Sequence, residues 1–163
     1  MDIILASGSP RRRELLSRAQ LEFTVISVDI DETPYQHESP KDYILRMVAA
    51  KAEVATVELN RQLKNNDAQS NKSIISQPII LLTSDTIGVL PDGKTVLVKP
   101  NNREDAYHMW QQMSDSTHEV WTAVQATQLS LPSKHLDAFD TEQVWKTINQ
   151  QQIIERTEVT FVA

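Results

Sequence analysis

Three groups of residues in this 163-residue chain have types and spacings that could do chemistry. The first is Ser7-Gly8-Ser9-Pro10-Arg11-Arg12-Arg13, which directly follows the apolar run Ile3 to Ala6. A tight glycine turn, two hydroxyls and a proline suited to the first helical position bring N–H and O–H donors together at a helix N-terminus, as a bound phosphate requires. Three arginines stand where the helix dipole favours acids. An anion would compensate that placement, and a solvated basic turn would also permit it. The second group is acidic: Asp29, Asp31 and Glu32 precede a helix, and Asp85 follows the apolar run Ile79 to Thr83. Carboxylates at strand ends can hold Mg²⁺, which takes oxygen ligands and shares them with substrate phosphates. Asp85 is the sharpest of these, although a charge that ends a strand is also often a plain surface group. The third group is two single cations, Lys51 and Lys99, each of which alone reads as a solvated surface lysine.

A fourth pattern is rejected by its context. Gly88-Val89-Leu90-Pro91-Asp92-Gly93-Lys94-Thr95 matches a phosphate-binding loop at every fixed position. Such a loop needs a helix beginning at its Lys-Thr, so that amide donors and the helix dipole face the phosphates. Here Val96-Leu97-Val98-Lys99-Pro100 follows, β-branched and closed by a proline, and Pro91-Asp92-Gly93 is ordinary turn chemistry. A hairpin is the better reading. The histidines, His37, His108, His118 and His135, have no metal-ligand spacing, and His118 beside Thr117 is at most a weak candidate.

The elements that must position these groups follow from periodicity and caps. Ile3 to Ala6 reads as a buried strand, Ser9 as an N-cap and Pro10 as N1 of a helix through Leu15 and Leu16 to about Ala19. Phe23 to Val28 is a second strand. Ser39-Pro40-Lys41-Asp42 starts another helix with a capping box, and Ile44, Leu45, Val48, Ala52, Ala55 and Leu59 give it one apolar face. Polar segments at about 61–78 and 130–150 read as surface insertions. Ile79 to Leu82 is a strand, Thr86 to Leu90 and Thr95 to Val98 a hairpin, and Asn102 with Asp105 a helix start that turns Ala106, Met109, Trp110 and Met113 inward. Val120 to Leu129 and Ile153 to Val162 are strand-like. The order β-α-β-α-β-β-α-β-β predicts an α/β fold with a mixed sheet flanked by helices.

Composition bounds the classes. The length suits one domain. Sixteen basic against 22 acidic residues give a net charge of −6, which argues against a nucleic-acid partner and makes any anion site local. No apolar run approaches the ~20 residues of a membrane span. The absence of cysteine excludes thiolate metal sites and cysteine nucleophiles, and the start Met-Asp-Ile-Ile lacks the basic n-region of a secretory signal, so a cytoplasmic location is expected. The three glycines cannot form a dinucleotide-binding fingerprint.

Taken together, Ile4-Leu5-Ala6-Ser7-Gly8-Ser9-Pro10-Arg11-Arg12, Asp31-Glu32-Thr33-Pro34, Ala50-Lys51-Ala52, Ser84-Asp85-Thr86, Lys99-Pro100 and Ser116-Thr117-His118 through Thr122 resemble the Maf family of nucleoside triphosphate pyrophosphatases, in the family's order. The match covers about residues 3–129 and resumes at Thr157 to Phe161. The resemblance implies a fold like that of the inosine triphosphate pyrophosphatases and hydrolysis between the α- and β-phosphates with a divalent cation, Mg²⁺ or Mn²⁺. It makes Asp85 the base that activates water, Ser7, Arg12, Lys51 and Lys99 the phosphate ligands, and Glu32 a metal ligand. Arg11 and Thr86 look like the dTTP/UTP-type members rather than the 7-methyl-GTP type, which tends to carry Trp and Gln there. The chain departs from the family at Val98 and Asp115, where glycine is common. Family members also usually continue with a D-K-A-G-x-Y-x-x-Q-G-like segment that nothing here matches, so a single, C-terminally shortened domain over 1–163 is expected. The expected partner is a nucleoside triphosphate, with a homodimer as a possible assembly. The alternative is a non-catalytic nucleotide-binding or regulatory protein that keeps only the first-turn phosphate site.

Overall fold

Strand β1 (Ile3–Ala6) lies between two parallel partners. Ile3 to Ala6 register with Phe23 to Ile26 of β2 (Phe23–Ile26), and Ile3 to Leu5 with Ile80 to Leu82 of β3 (Ile79–Val89). A strand so placed has both edges paired, and Ile4, Leu5 and Ala6, which alternate between its faces, are all buried. The computed structural model describes residues 2–67, 78–100, 102–132 and 144–162. Among these, a six-stranded sheet runs β2-β1-β3-β5-β6, where β5 is Thr117–Ser130 and β6 is Lys146–Thr160. The short β4 (Val96–Leu97) pairs antiparallel with β3, so the sheet is mixed. Helices α1 (Pro10–Arg18), α2 (Pro40–Asp67) and α3 (Arg103–Met113) complete the expected order.

The helix starts are those the residues predict. Ser39 Oγ accepts the Asp42 amide at 3.1 Å at the head of α2, and Asn102 Oδ1 accepts the Asp105 amide at 2.9 Å at the head of α3. Ser9 caps α1 from extended backbone, but its side chain accepts no capping bond. The chain groups into two compact units. The first comprises Met1–Ile30, Ala49–Thr83 and Gln125–Gln151, with a core that includes Ile4 and Ala6, Ala52, Ala55 and Leu59, and Ile79 and Leu81. The second comprises Asp31–Val48, Ser84–Val124 and Gln152–Ala163 and buries Tyr43, Ile44, Met47, Ile87, Val89 and Trp121.

Four expectations are corrected. Helix α2 continues through Arg61 to Asp67 instead of giving way to a loop at 61, because Arg, Gln and Lys favour helix and Arg61 forks onto Glu58 one turn back at 2.8 and 2.7 Å. The run Ile79 to Leu82 and the arm Thr86 to Leu90 are one strand, β3, because Ser84 and Asp85 keep extended backbone between them. Strand β6 begins at Lys146, inside the segment expected to be an insertion, while 68–77 and 133–143 of the two expected insertions lie outside the described residues. Trp110 points outward at 71% exposure, since α3 buries none of its residues fully.

The departure at Asp115 is conformational. Asp115 adopts φ 49°, just past the end of α3, where glycine is the residue of least strain. Asp115→Gly is therefore expected to stabilise the protein by about 1 kcal/mol, read as a raised midpoint in urea unfolding. An unchanged or lowered midpoint would show that the Asp115 side chain supplies a compensating bond. Val98 has no positive φ, so its position makes no such demand.

Candidate active site

The first turn builds a donor cluster around one hydroxyl. Ser7 ends β1 and is buried at 5% exposure, and its Oγ accepts from the Ser9 amide and from Arg12 Nη1, both at 3.2 Å. Helix α1 has no acidic residue in its first turn. Arg12 reaches back to Ser7 at the strand end, while Arg11 stays exposed. Lys51, on α2 in the same compact unit, is buried at 8% exposure. That corrects the reading of a solvated lysine: lysines are almost never so covered without a partner. Ser7 and Arg12 are brought together; Lys51 is set apart from solvent on the helix face that carries Ala52 and Ala55.

The second unit collects the acids around a residue that the sequence did not single out. Tyr43, in the first turn of α2, is buried at 2% exposure and its hydroxyl donates to the Glu32 carbonyl at 2.7 Å. Burial pushes its phenol up to about 12, with the charges of Asp85 and Glu32 adding to the shift. The two acids therefore both lie within electrostatic reach of one phenol, which stays a hydroxyl donor at every physiological pH. No signal in the sequence marks Tyr43 apart from the helical periodicity that places it beside Ile44 and Met47. Lys99 Nζ meets Glu32 Oε2 at 3.4 Å. With Lys99 86% exposed, that pair is worth at most about 1 kcal/mol, so either partner can exchange it for a ligand. Lys99 also lines a cleft of about 320 Å³ with Val98, Asp105, His108 and Met109.

Asp85 lies within β3 rather than at its end. Alternation along the strand puts it on the face of Thr83 and Ile87, both buried, and puts Thr86 on the opposite face. Thr86 is exposed and its Oγ1 lies 3.1 Å from Thr122 Oγ1 of β5. The two neighbours thus serve different surroundings. Asp31 is spent on a turn, its Oδ1 accepting the Thr33 amide at 2.9 Å, with the Thr33 bonds holding its carboxyl below the usual range. Asp29 is exposed and belongs to the first unit. His37 and His108 are exposed, His118 is buried against Phe161 with its Nδ1 unpartnered, and His135 lies outside the described residues.

The loop from Leu90 to Thr95 is a turn and not a phosphate cradle. Asp92 accepts from the Thr95 hydroxyl and from the Thr95 and Lys94 amides, which hold its carboxyl down at about 2. Gly93 supplies the left-handed φ of 66°, and a strand follows instead of a helix. Lys94→Ala and Thr95→Ala are accordingly expected to change nucleotide turnover less than ~2-fold, in steady-state assays of folded protein. A collapse of turnover in either would restore the phosphate-loop reading.

Comparison with known proteins decides the family. The model of the Maf-like proteins matches residues 2–161. The chain belongs to the Maf family. Maf proteins similar to it include a dTTP/UTP pyrophosphatase of Psychrobacter arcticus, 85% identical over all 163 residues and covered over 71% of its own length. One of Psychrobacter cryohalolentis is 86% identical over the same span, covered over 72%. A more distant one, from Vibrio vulnificus, is 36% identical over 151 residues, 93% of this chain and 70% of that relative. The mixed sheet flanked by helices is consistent with the α/β Maf fold. No helix among the described residues is long and apolar enough to cross a membrane.

Proposed function

We propose that this protein hydrolyses dTTP and UTP between the α- and β-phosphates, releasing the nucleoside monophosphate and pyrophosphate, and so clears nucleotide pools in the cytoplasm. The observation that carries the reading is the 85% identity along the whole chain to a protein named dTTP/UTP pyrophosphatase, in a chain that holds Ser7 and Arg12 together at the end of β1.

The roles follow from charge and placement. Ser7, Arg12 and Lys51 bind phosphate oxygens through donors already held at a strand end and on a covered helix face. Lys99 exchanges its exposed pair with Glu32 for a phosphate. Asp85 accepts the proton of the attacking water, a task for a partly covered carboxylate. Arg11 and Thr86, both exposed, face the base.

The acids also fit a Mg²⁺ or Mn²⁺ ion shared with substrate. Among the described residues no three His, Cys, Asp or Glu side chains form a cage of their own. One or two carboxylates completed by phosphate oxygens is the donor set that Mg²⁺ ordinarily takes beside a nucleotide. When bound, the ion supplies charge neutralisation on the phosphates; Glu32 holds it, and Asp85 keeps the proton-accepting role.

A panel of dTTP, UTP, CTP, ATP, GTP and 7-methyl-GTP assayed with Mg²⁺ tests the substrate class. The expected ranking puts dTTP and UTP about tenfold or more above the purines, as a site that hydrogen-bonds one base rejects another. A flat ranking, or preference for 7-methyl-GTP, would overturn it.

A further inference from the structure

We propose that Tyr43 and Arg46 are positioning residues for Glu32, together clamping the segment Glu32 to Glu38 onto α2 so that the Glu32 carboxylate is held ready for a divalent cation. The inference rests on the reading of Glu32 as the residue that holds the ion. Hydrogen bonds from these two side chains reach the segment at three residues, Glu32, Thr33 and Glu38. Tyr43 donates to the Glu32 carbonyl at 2.7 Å. Arg46 donates from Nη2 to the Thr33 carbonyl at 3.1 Å, and from Nε and Nη2 to the two carboxylate oxygens of Glu38 at 2.6 Å each. The Arg46 guanidinium also lies 3.8 Å from the centre of the Tyr35 ring and 5.4 Å from that of Tyr43. The segment closes on itself where Glu38 Oε2 accepts the Tyr35 amide at 3.0 Å.

The geometry has a clear division of labour. Residues 31–38 form no strand or helix, so their own backbone pairing does not fix them. A loop carboxylate that binds a cation pays for its ordering at the moment of binding unless something has ordered it first. The forked Arg46–Glu38 pair is well covered, with side chains 23% and 8% exposed, and it anchors the far end of the segment. Tyr43 fixes the backbone of Glu32 itself. Helix geometry places residues 43 and 46 on neighbouring positions of one face, so both side chains can reach the same segment.

The test titrates Mn²⁺ alone into the full chain, following free Mn²⁺ by electron paramagnetic resonance, with melting temperature recorded beside it. Glu32→Gln is expected to weaken Mn²⁺ binding by more than tenfold. Tyr43→Phe removes one hydroxyl and Arg46→Lys removes the fork; each is expected to weaken binding about tenfold, as partners that orient metal ligands commonly do. The double variant Glu32→Gln with Tyr43→Phe should bind no more weakly than Glu32→Gln alone, since Tyr43 acts through Glu32. If both Tyr43→Phe and Arg46→Lys melt lower but bind Mn²⁺ as the native chain does, while Glu32→Gln does not, the clamp is overturned and the Glu32 reading stands. If Glu32→Gln binds Mn²⁺ normally, the reading of Glu32 fails and the clamp falls with it.

Discussion

Asp85→Asn is expected to lower kcat at least ~100-fold with the fold intact. Asparagine keeps the size and most hydrogen-bonding capacity of aspartate, so residue 85 should retain its place in β3 between the buried Thr83 and Ile87. What the substitution removes is the proton acceptor. KM should move little, because Asp85 is not proposed to hold the phosphates, and a loss confined to kcat marks a group acting in the transition state. A second reading on the same protein controls for misfolding. Asp85 is one of the charges that raise the Tyr43 phenol to about 12, so neutralising it should let that phenol titrate lower in alkaline ultraviolet titration. Near-normal turnover in a variant whose phenol has shifted would reject Asp85 as the base.

Arg12→Ala should weaken every triphosphate alike, by ~10- to 100-fold in kcat/KM, the usual range for losing a hydrogen-bonded charge. Arg12 is tied to Ser7 at the strand end and turned toward the donor cluster, a position from which it addresses phosphate whatever the base. Arg11→Trp combined with Thr86→Gln makes the opposite prediction: a changed ranking of bases with a smaller change in the best rate. Arg11 is exposed, and Thr86 lies on the strand face opposite Asp85. Steady-state kinetics on the nucleotide panel separates the two. An Arg12→Ala loss restricted to pyrimidines, or an unchanged ranking in the double variant, would mean that the assignments of phosphate and base contacts are reversed.

Local signals carried the fold wherever one residue type has one physical use. Ser39 with Asp42 and Asn102 with Asp105 announced helix starts that the backbone adopts, and the apolar steps from Ile44 to Leu59 announced the buried face of α2. Where the cause is tertiary, the residues alone misled. Ser84 and Asp85 look like the end of an apolar strand, yet pairing keeps β3 extended through them to Val89. Lys146 to Gln151 carries no apolar alternation because these residues are exposed; their strand conformation comes from the sheet, not from burial of a face. Trp110 was expected inward on periodicity, but the helix buries no side chain fully and leaves it outside.

The site divides in the same way. Ser7, Arg12, Glu32 and Asp85 stand out as candidates because hydroxyl, guanidinium and carboxylates in those settings each suggest phosphate or metal chemistry, whereas Lys99 enters only through the family pattern. Lys51 was legible only through the family pattern, since nothing local to it predicts burial at 8% exposure. Tyr43 and Arg46 were not legible at all. Their roles lie in contacts 11 to 13 residues back along the chain, from Tyr43 to Glu32 and from Arg46 to Thr33, which no local pattern encodes.

The central claim is cleavage between the α- and β-phosphates by water that Asp85 deprotonates. Hydrolysis of dTTP with Mg²⁺ in ¹⁸O-labelled water, with products separated and weighed by mass spectrometry, tests it most directly. Expected are dTMP and pyrophosphate in equal amounts, with one labelled oxygen in the dTMP, and no accumulation of dTDP. Release of dTDP with labelled orthophosphate, or tight binding of dTTP with no product of either kind, would contradict it.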